Sequence, residues 1–240
     1  MRRQLTTTIA VLAVCLGLSS AAYAQVKDSL EVNVFGGGSW YSSKNYEIGS
    51  PQSATPVSGK FRFDHAVRAG LRVNVYTRGH WSQEFFYAYA PNKAHFIRQS
   101  APTSSVNLSM QLHSYGINAL YYFNENESRT VRPFFSVGVG GNVYRLTPLA
   151  RSFANDPLRG NVGDINTSHE LALNYGFGVK SRGSYWLGLR ADIRGFINRT
   201  PSFGLARRAD DPNATVFPVS GPLHNAEVSA GLVFYFYPKR

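Results

Sequence analysis

The sequence predicts an all-β chain: an eight-stranded antiparallel up-and-down barrel that crosses a membrane on its strands. Three observations carry this. Hydrophobicity alternates with period two in eight segments. The connections between those segments alternate between long and short. The apolar side of every segment is free of Lys, Arg, Asp and Glu.

The N-terminus is set apart from the rest. Arg2 and Arg3 precede an apolar run, Ile9 to Leu18, that ends before Ala22-Tyr23-Ala24. A charged start, a short apolar core and an A-x-A triplet make an export signal, so residues 1–24 are expected to be cleaved and residues 25–240 to form the mature barrel domain. Cys15, the single cysteine, lies within the signal. Val14 before it does not suit lipidation, so the mature chain is expected to have neither disulfide nor thiolate metal site. Removing Arg2 and Arg3 lowers the formal charge from +11 to +9.

Beyond the signal no stretch approaches the roughly 20 apolar residues of a membrane helix. The clearest alternating segment is Phe61 to Tyr76. Phe61, Phe63, Val67, Ala69, Leu71, Val73 and Val75 share one side; Arg62, Asp64, Arg68, Arg72 and Asn74 share the other. Leu30–Trp40, Trp81–Tyr89, Val106–Phe123, Arg132–Tyr144, His169–Lys180, Tyr185–Phe196 and Leu223–Phe236 repeat the pattern. Successive side chains of a strand point to opposite faces, so each segment has one apolar and one polar face.

The joins Thr77–His80, Asn124–Thr130 and Ser181–Ser184 are short. Ser42–Gly59, Pro91–Ser105, Arg145–Thr167 and Ile197–Pro222 are long and rich in Ser, Pro, Asn and Gly. An up-and-down barrel with one end in the periplasm and four long extracellular loops produces this alternation. Aromatic residues gather near both ends of the apolar faces: Trp81, Tyr121, Phe123, Tyr185, Phe234 and Phe236 by the short turns, Trp40, Phe61, Tyr87 and Tyr89 by the long loops. Two such girdles suit the two membrane interfaces.

The polar faces carry Glu31, Asp64, Glu84, Glu170, Asp192 and Glu227 with Arg62, Arg68, Arg72, Lys180, Arg190 and Arg194. Eight strands enclose a space that side chains fill. Buried charges there must pair, which predicts an ion-pair network plugging the lumen; the alternative is a narrow ion-conducting pore lined by the same residues.

This layout, and the closing segment Glu227-Val228-Ser229-Ala230-Gly231-Leu232-Val233-Phe234-Tyr235-Phe236, resembles the small outer-membrane β-barrel family that includes the OmpA transmembrane domain and OmpX-type proteins. The resemblance covers nearly the whole mature chain and implies outer-membrane localisation, a monomer, and insertion by the barrel-assembly machinery. That machinery reads a terminal aromatic residue in such proteins. Here Tyr237-Pro238-Lys239-Arg240 follow Phe236, a departure that bears on assembly rather than fold. Nothing resembles the peptidoglycan-binding domain of longer relatives.

The loops and their edges hold ten basic residues, among them Arg145, Arg151, Arg159, Arg207 and Arg208, against five acidic ones. Guanidinium and ammonium groups suit phosphate. Two readings stand side by side: loops that bind lipopolysaccharide phosphates or an acidic partner, and an ordinary solvated basic surface. No module for nucleic acid appears. His65, His113, His169, Ser109 and Ser168 are the residues nearest to a lipid-hydrolase set, but no acid accompanies them, so a non-enzymatic chain without cofactor or metal is expected. Gly36-Gly37-Gly38 leads into no helix and so is no phosphate loop.

Overall fold

The computed structural model of the chain describes residues 30–48, 57–98, 104–124, 131–154, 165–184, 186–204 and 219–236. Its elements are β1 (Leu30–Tyr41), β2 (Lys44–Ile48), β3 (Val57–Phe63), β4 (Ala66–Arg78), β5 (Trp81–Arg98), β6 (Ser104–Tyr122), β7 (Val131–Leu146), α1 (Pro148–Ala154), β8 (Ser168–Arg182), β9 (Leu187–Arg199) and β10 (Pro222–Phe236).

All pairings are antiparallel. The sheet runs β2-β3-β5-β4-β1-β10-β9-β8-β7-β6, and β5 also pairs with β6. That last pairing closes β1 and β4 to β10 into a ring of eight, as the segment count predicts. β2 and β3 continue β1 and β4 beyond the long-loop end of the ring: Ser39 faces Ala66 in one hairpin part and Lys44 faces Phe61 in the other, which preserves one register. Closure leaves no free strand edge within the ring, the condition for a sheet in hydrocarbon.

The alternating residues take the expected sides through most of the wall. Val34, Leu71, Phe85, Val137, Val139, Leu173, Ile193 and Val228 are exposed outside; Glu31, Arg72, Glu84, Asn118, Asn174, Asp192 and Glu227 are buried inside. Trp40, Trp81 and Trp186 all lie on the outer surface, with Tyr87, Phe123 and Phe236. Tyr185 of the expected girdle lies outside the described residues.

The strands reach further than expected, since β2 and the start of β3 lie within the expected loop Ser42–Gly59 and β5 takes up Pro91–Arg98 of the expected loop Pro91–Ser105; the faces differ from expectation at one place. Phe61–Tyr76 is two strands, broken at Asp64-His65, and the faces invert across the break. In β4 the odd-numbered residues point out. In β3 Phe61 and Phe63 point in and are buried, while Arg62 is exposed. The cause is a one-residue slip against β5: Ala69 faces Tyr89, but Phe63 faces Ala94. A slip of one exchanges the two faces of a strand. Asn92 holds the slip in place. Its Oδ1 accepts from the Asp64 N–H at 3.1 Å and its Nδ2 donates to the Asp64 carbonyl at 3.1 Å, while the same N–H donates to the Lys93 carbonyl at 3.0 Å. Phe61 therefore belongs to the interior and not to the outer girdle.

β5 and β6 have 18 and 19 residues, about twice the 9–11 that a tilted strand needs to cross a bilayer. The wall continues past the aromatic level on the long-loop side. Inside, glycines make room for large neighbours. A Cβ on Gly178 would run into the Phe134 ring, and one on Gly176 would stand 2.8 Å from Cγ of Arg194. Alternating small and large residues fill a narrow barrel in this way.

The charged lumen and its apolar cap

Inward-facing residues form tiers along the barrel axis. At the short-turn end, Lys180 on β8 reaches across to Glu31 on β1, with Nζ 2.6 Å from Oε1 and 2.9 Å from Oε2. Asn74 Nδ2 donates to the same carboxylate at 3.2 Å. Arg132 stacks over the Tyr122 ring at 4.3 Å and donates to the Asn124 carbonyl at 3.1 Å.

The next tier is a continuous ionic network. Arg190, Asp192 and Arg194 alternate along β9 and therefore share the inner face. Asp192 Oδ1 accepts from Arg190 Nη2 at 2.9 Å and from Arg194 Nη2 at 3.3 Å. Glu84 on β5 lies between the same two arginines, with Oε2 2.7 Å from Arg190 Nη1 and Oε1 2.7 Å from Arg194 Nη2. Asn118 Nδ2 completes Glu84 Oε1 at 2.8 Å. Arg72 on β4 bridges the tier: Nη1 donates to Asp192 Oδ2 at 2.9 Å, Nη2 donates to Glu227 Oε1 at 2.9 Å, and the guanidinium lies 3.6 Å over the Phe35 ring. Arg68 Nε stands 2.9 Å from Glu227 Oε2. All these side chains are essentially shielded from solvent. Stripping an ion of water costs several kcal/mol, and only multiple close partners offset it. Most members here have two or more.

Above the ions lie amides and hydroxyls. Asn142 accepts from Ser114 Oγ at 2.5 Å and donates to Asn198 Oδ1 at 3.0 Å, and Tyr144 OH donates to the same oxygen at 3.2 Å. Above these the interior turns apolar. Tyr41, Phe61, Phe63, Ala90, Ala94, Leu108, Met110, Leu112, Leu146 and Leu223 from the wall meet Ala150 of α1, Phe203 and Val219, with Ile165 packed against them. Phe203 takes φ 52°, in the left-handed region that bulky side chains avoid. Its 3% exposure gives the compensation: the ring is buried in the cap.

Of the lumen candidates, Arg68, Arg72, Glu84, Lys180, Arg190, Asp192, Arg194 and Glu227 thus converge inside. Glu170 faces inward near the long-loop mouth, where Ser168 Oγ donates to it at 2.9 Å. Two candidates lie elsewhere because of the slip at Asp64. Arg62 is exposed on the outside. Asp64 Oδ1 stands 2.8 Å from Nε2 of His95, whose Nδ1 is 2.6 Å from Asn107 Oδ1.

Among the anion-binding candidates, Arg145 is exposed on the outer wall of β7. Arg151 fastens α1 to the segment before β8, donating to the Ile165 carbonyl at 3.1 Å and to Asn166 Oδ1 at 3.2 Å. Arg159, Arg207 and Arg208 lie outside the described residues. The hydrolase candidates do not assemble into a catalytic set among the described residues: Ser168 points in and His169 out, and His113 Nδ1 is 2.7 Å from Tyr87 OH. No group of three His, Cys, Asp or Glu there is placed to hold a metal.

Sequence reasoning missed Arg132, Asn92 and the apolar cap. The cap had a signal: Leu108, Met110 and Leu112 continue the alternation of β6 above the aromatic level. Apolar residues lining the interior there depart from a wholly polar lumen.

Comparison with known proteins agrees with this architecture. Residues 10–236 match the outer membrane protein β-barrel domain family. The fold is similar to the outer membrane protein OprG from Pseudomonas aeruginosa, with TM-score 0.55 and 12% identity over 88% of this chain and 97% of that one. It is also similar to the outer membrane protein AlkL, solved in lipid bilayers, with TM-score 0.53 and 13% identity over 90% of this chain and 94% of that one. At these identities the likeness concerns the fold. No curated protein matches the sequence.

Proposed function

The chain belongs to the outer membrane protein β-barrel domain family, and from that premise we propose that it is a closed, non-enzymatic barrel acting at the cell surface through its long-loop end. The observation that carries this is the cross-lumen network. Arg72 spans from β4 to Asp192 on β9 and Glu227 on β10, and the apolar cap covers the same lumen above it. An ion crossing the barrel has to displace interlocked charges and then pass a region without hydration. Planar-bilayer recording of the purified protein tests this. The expected result is no unitary conductance; steady steps that scale with salt would establish the narrow porin instead.

For the surface role, the supporting observation is where the cations stand. Arg62, Lys93 and Arg145 are exposed on the outer wall on the long-loop side of Trp40 and Tyr87. That is the level at which the phosphates of an outer-leaflet glycolipid meet a barrel, and guanidinium forks suit them. Lipopolysaccharide is the proposed partner, with Arg207 and Arg208 contributing from the last long loop. Lipopolysaccharide binding by the variant Arg145→Ala/Arg207→Ala/Arg208→Ala is expected to fall at least tenfold, and unchanged binding would reduce the basic surface to a solvated one. Insertion by the barrel-assembly machinery, a monomeric state and removal of residues 1–24 complete the proposal. N-terminal sequencing of the membrane-extracted protein is expected to start at Gln25.

A further inference from the structure

The outer face of the ring changes character at one level on the long-loop side. On β6, β8 and β10 the outward residues following Tyr115, Leu171 and Ala226 toward the loops are His113, His169 and His224. On β4 the outward run Leu71, Ala69, Val67 ends at His65, directly before the strand. On β5, β7 and β9 the outward runs end at Lys93, Arg145 and Arg199. β5 lies between β4 and β6 in the ring, β7 between β6 and β8, and β9 between β8 and β10. Histidine and permanent cation therefore alternate from strand to strand, and Trp40 of β1 closes the row with its ring 6.5 Å from that of His65. Of the six histidines in the chain, four stand in this row.

The register places them close together. His113 faces Val143, Val143 faces His169, and Arg145 stands one outward position nearer the loops. His224 faces Ile197, one outward position below Arg199. Lys93 lies next to the break before His65, where its carbonyl accepts from the Asp64 N–H at 3.0 Å. Adjacent strands are about 4.8 Å apart, so each imidazole has a permanent cation on a neighbouring strand.

None of the eight positions is acidic. The carboxylates beside the row in sequence are turned elsewhere. Asp64 stands 2.8 Å from Nε2 of His95, which faces Arg62 across β3 and β5, and Glu170 accepts from Ser168 on the inner side. His113 Nδ1 lies 2.7 Å from Tyr87 OH, with the Tyr89 ring at 5.2 Å. A hydroxyl can donate to a neutral ring or accept from a charged one, so His113 gains a proton without losing this bond. Imidazole is the side chain whose ordinary titration falls between about pH 5 and 8. Protonation of the four rings takes the positive charge of the row from three to seven. An anion that prefers the charged row must, by linkage, draw protons onto it.

We propose that this row is a belt for the phosphates of outer-leaflet glycolipid and that acid tightens it. The inference rests on the surface role proposed above and adds to it Arg199, His65, His113, His169, His224 and a dependence on pH. The belt stands where aliphatic and aromatic residues give way to polar ones, the level at which headgroup phosphates meet the wall.

Lipid A is the probe, titrated into the full mature barrel in neutral detergent micelles and followed by calorimetry. Its affinity is expected to rise by about fivefold or more from pH 8 to pH 5.5. Phosphate monoesters lose charge over the same range, which opposes the gain, so the variant His65→Asn/His113→Asn/His169→Asn/His224→Asn is the reference. That variant is expected to show no gain or a loss on acidification, and dephosphorylated lipid A is expected to show no gain with the wild type. In buffers of differing ionisation enthalpy near pH 6.5, the wild type is expected to take up more protons on binding than the variant. Lipid A binding at both pH values with no gain in the wild type, or an equal gain in the variant, overturns the belt and leaves the surface role standing. Absence of lipid A binding at both pH values overturns the two together.

Discussion

Replacing Glu84 by leucine is the most searching perturbation of the lumen. The side chain is wholly buried between Arg190 and Arg194, at 2.7 Å from each, and takes a third bond from Asn118 at 2.8 Å. Leucine keeps the approximate volume and removes the charge. Among the described residues Asp192 then remains as the only carboxylate in contact with Arg190 and Arg194, and it already engages Arg72. Removing one partner of a buried ion pair costs about 3–5 kcal/mol, which is roughly a 150- to 5,000-fold change in the unfolding equilibrium. The paired replacement Glu84→Leu/Arg194→Leu restores the balance between Glu84 and one of its arginines, so it is expected to cost less than Glu84→Leu alone. Denaturant unfolding from lipid vesicles, followed by tryptophan fluorescence, measures both. Trp40, Trp81 and Trp186 all face outward, so their emission changes on leaving the membrane and not through any contact with Glu84. A cost below about 1 kcal/mol for Glu84→Leu, or a double variant that simply adds the two single costs, would refute the claim that these charges are held by one another.

Three further outcomes follow from the wall and the cap. Val139→Arg places a charge on the outer face midway along β7 and is expected to cost about 2–4 kcal/mol in vesicles, whereas Val139→Leu should be near neutral; equal effects would mean that this face does not meet hydrocarbon. Asn92→Ala removes both side-chain bonds to Asp64, and hydrogen exchange is expected to quicken at β3 amides while β4 keeps its protection; uniform exchange across both strands would show the clasp to be incidental. Phe203→Ala leaves a void in the cap, at a cost of about 3–5 kcal/mol, yet keeps the unfavourable backbone angle. Phe203→Gly is therefore expected to be the milder change by about 1 kcal/mol, and an alanine variant that is the more stable of the two would contradict the strain.

The ring of eight was legible because alternation and loop lengths are local properties. Leu171, Leu173, Tyr175, Phe177 and Val179 declare the outer side of β8 from spacing alone, and β9 and β10 are as plain. The inversion at Asp64 was not legible, because its cause is in another strand. Phe61 and Phe63 continue the odd-numbered apolar series of β4 in sequence, and only the slip against β5, clasped by Asn92 twenty-eight residues away, turns them inward. The same slip displaced Arg62 and Asp64 from the lumen. Within the site, the identity of the inward charges could be read from spacing, but their partners could not: Lys180 meets Glu31 from 149 residues away, across the barrel and not along a strand. The cap stayed hidden because an inward apolar residue and a lipid-facing one look alike until the level of the membrane along the strand is known.

The seam of the ring joins its two ends in sequence, Leu30 facing Phe236 and Tyr41 facing Asn225. Twelve successive residues of the first strand wait for the last strand before half of their backbone groups find partners. Contact order at this seam is about as high as the chain permits, and loops of that length close slowly. The last strand therefore has to be made before the cylinder can close, and until then the edges that β1 and β10 offer each other stay open.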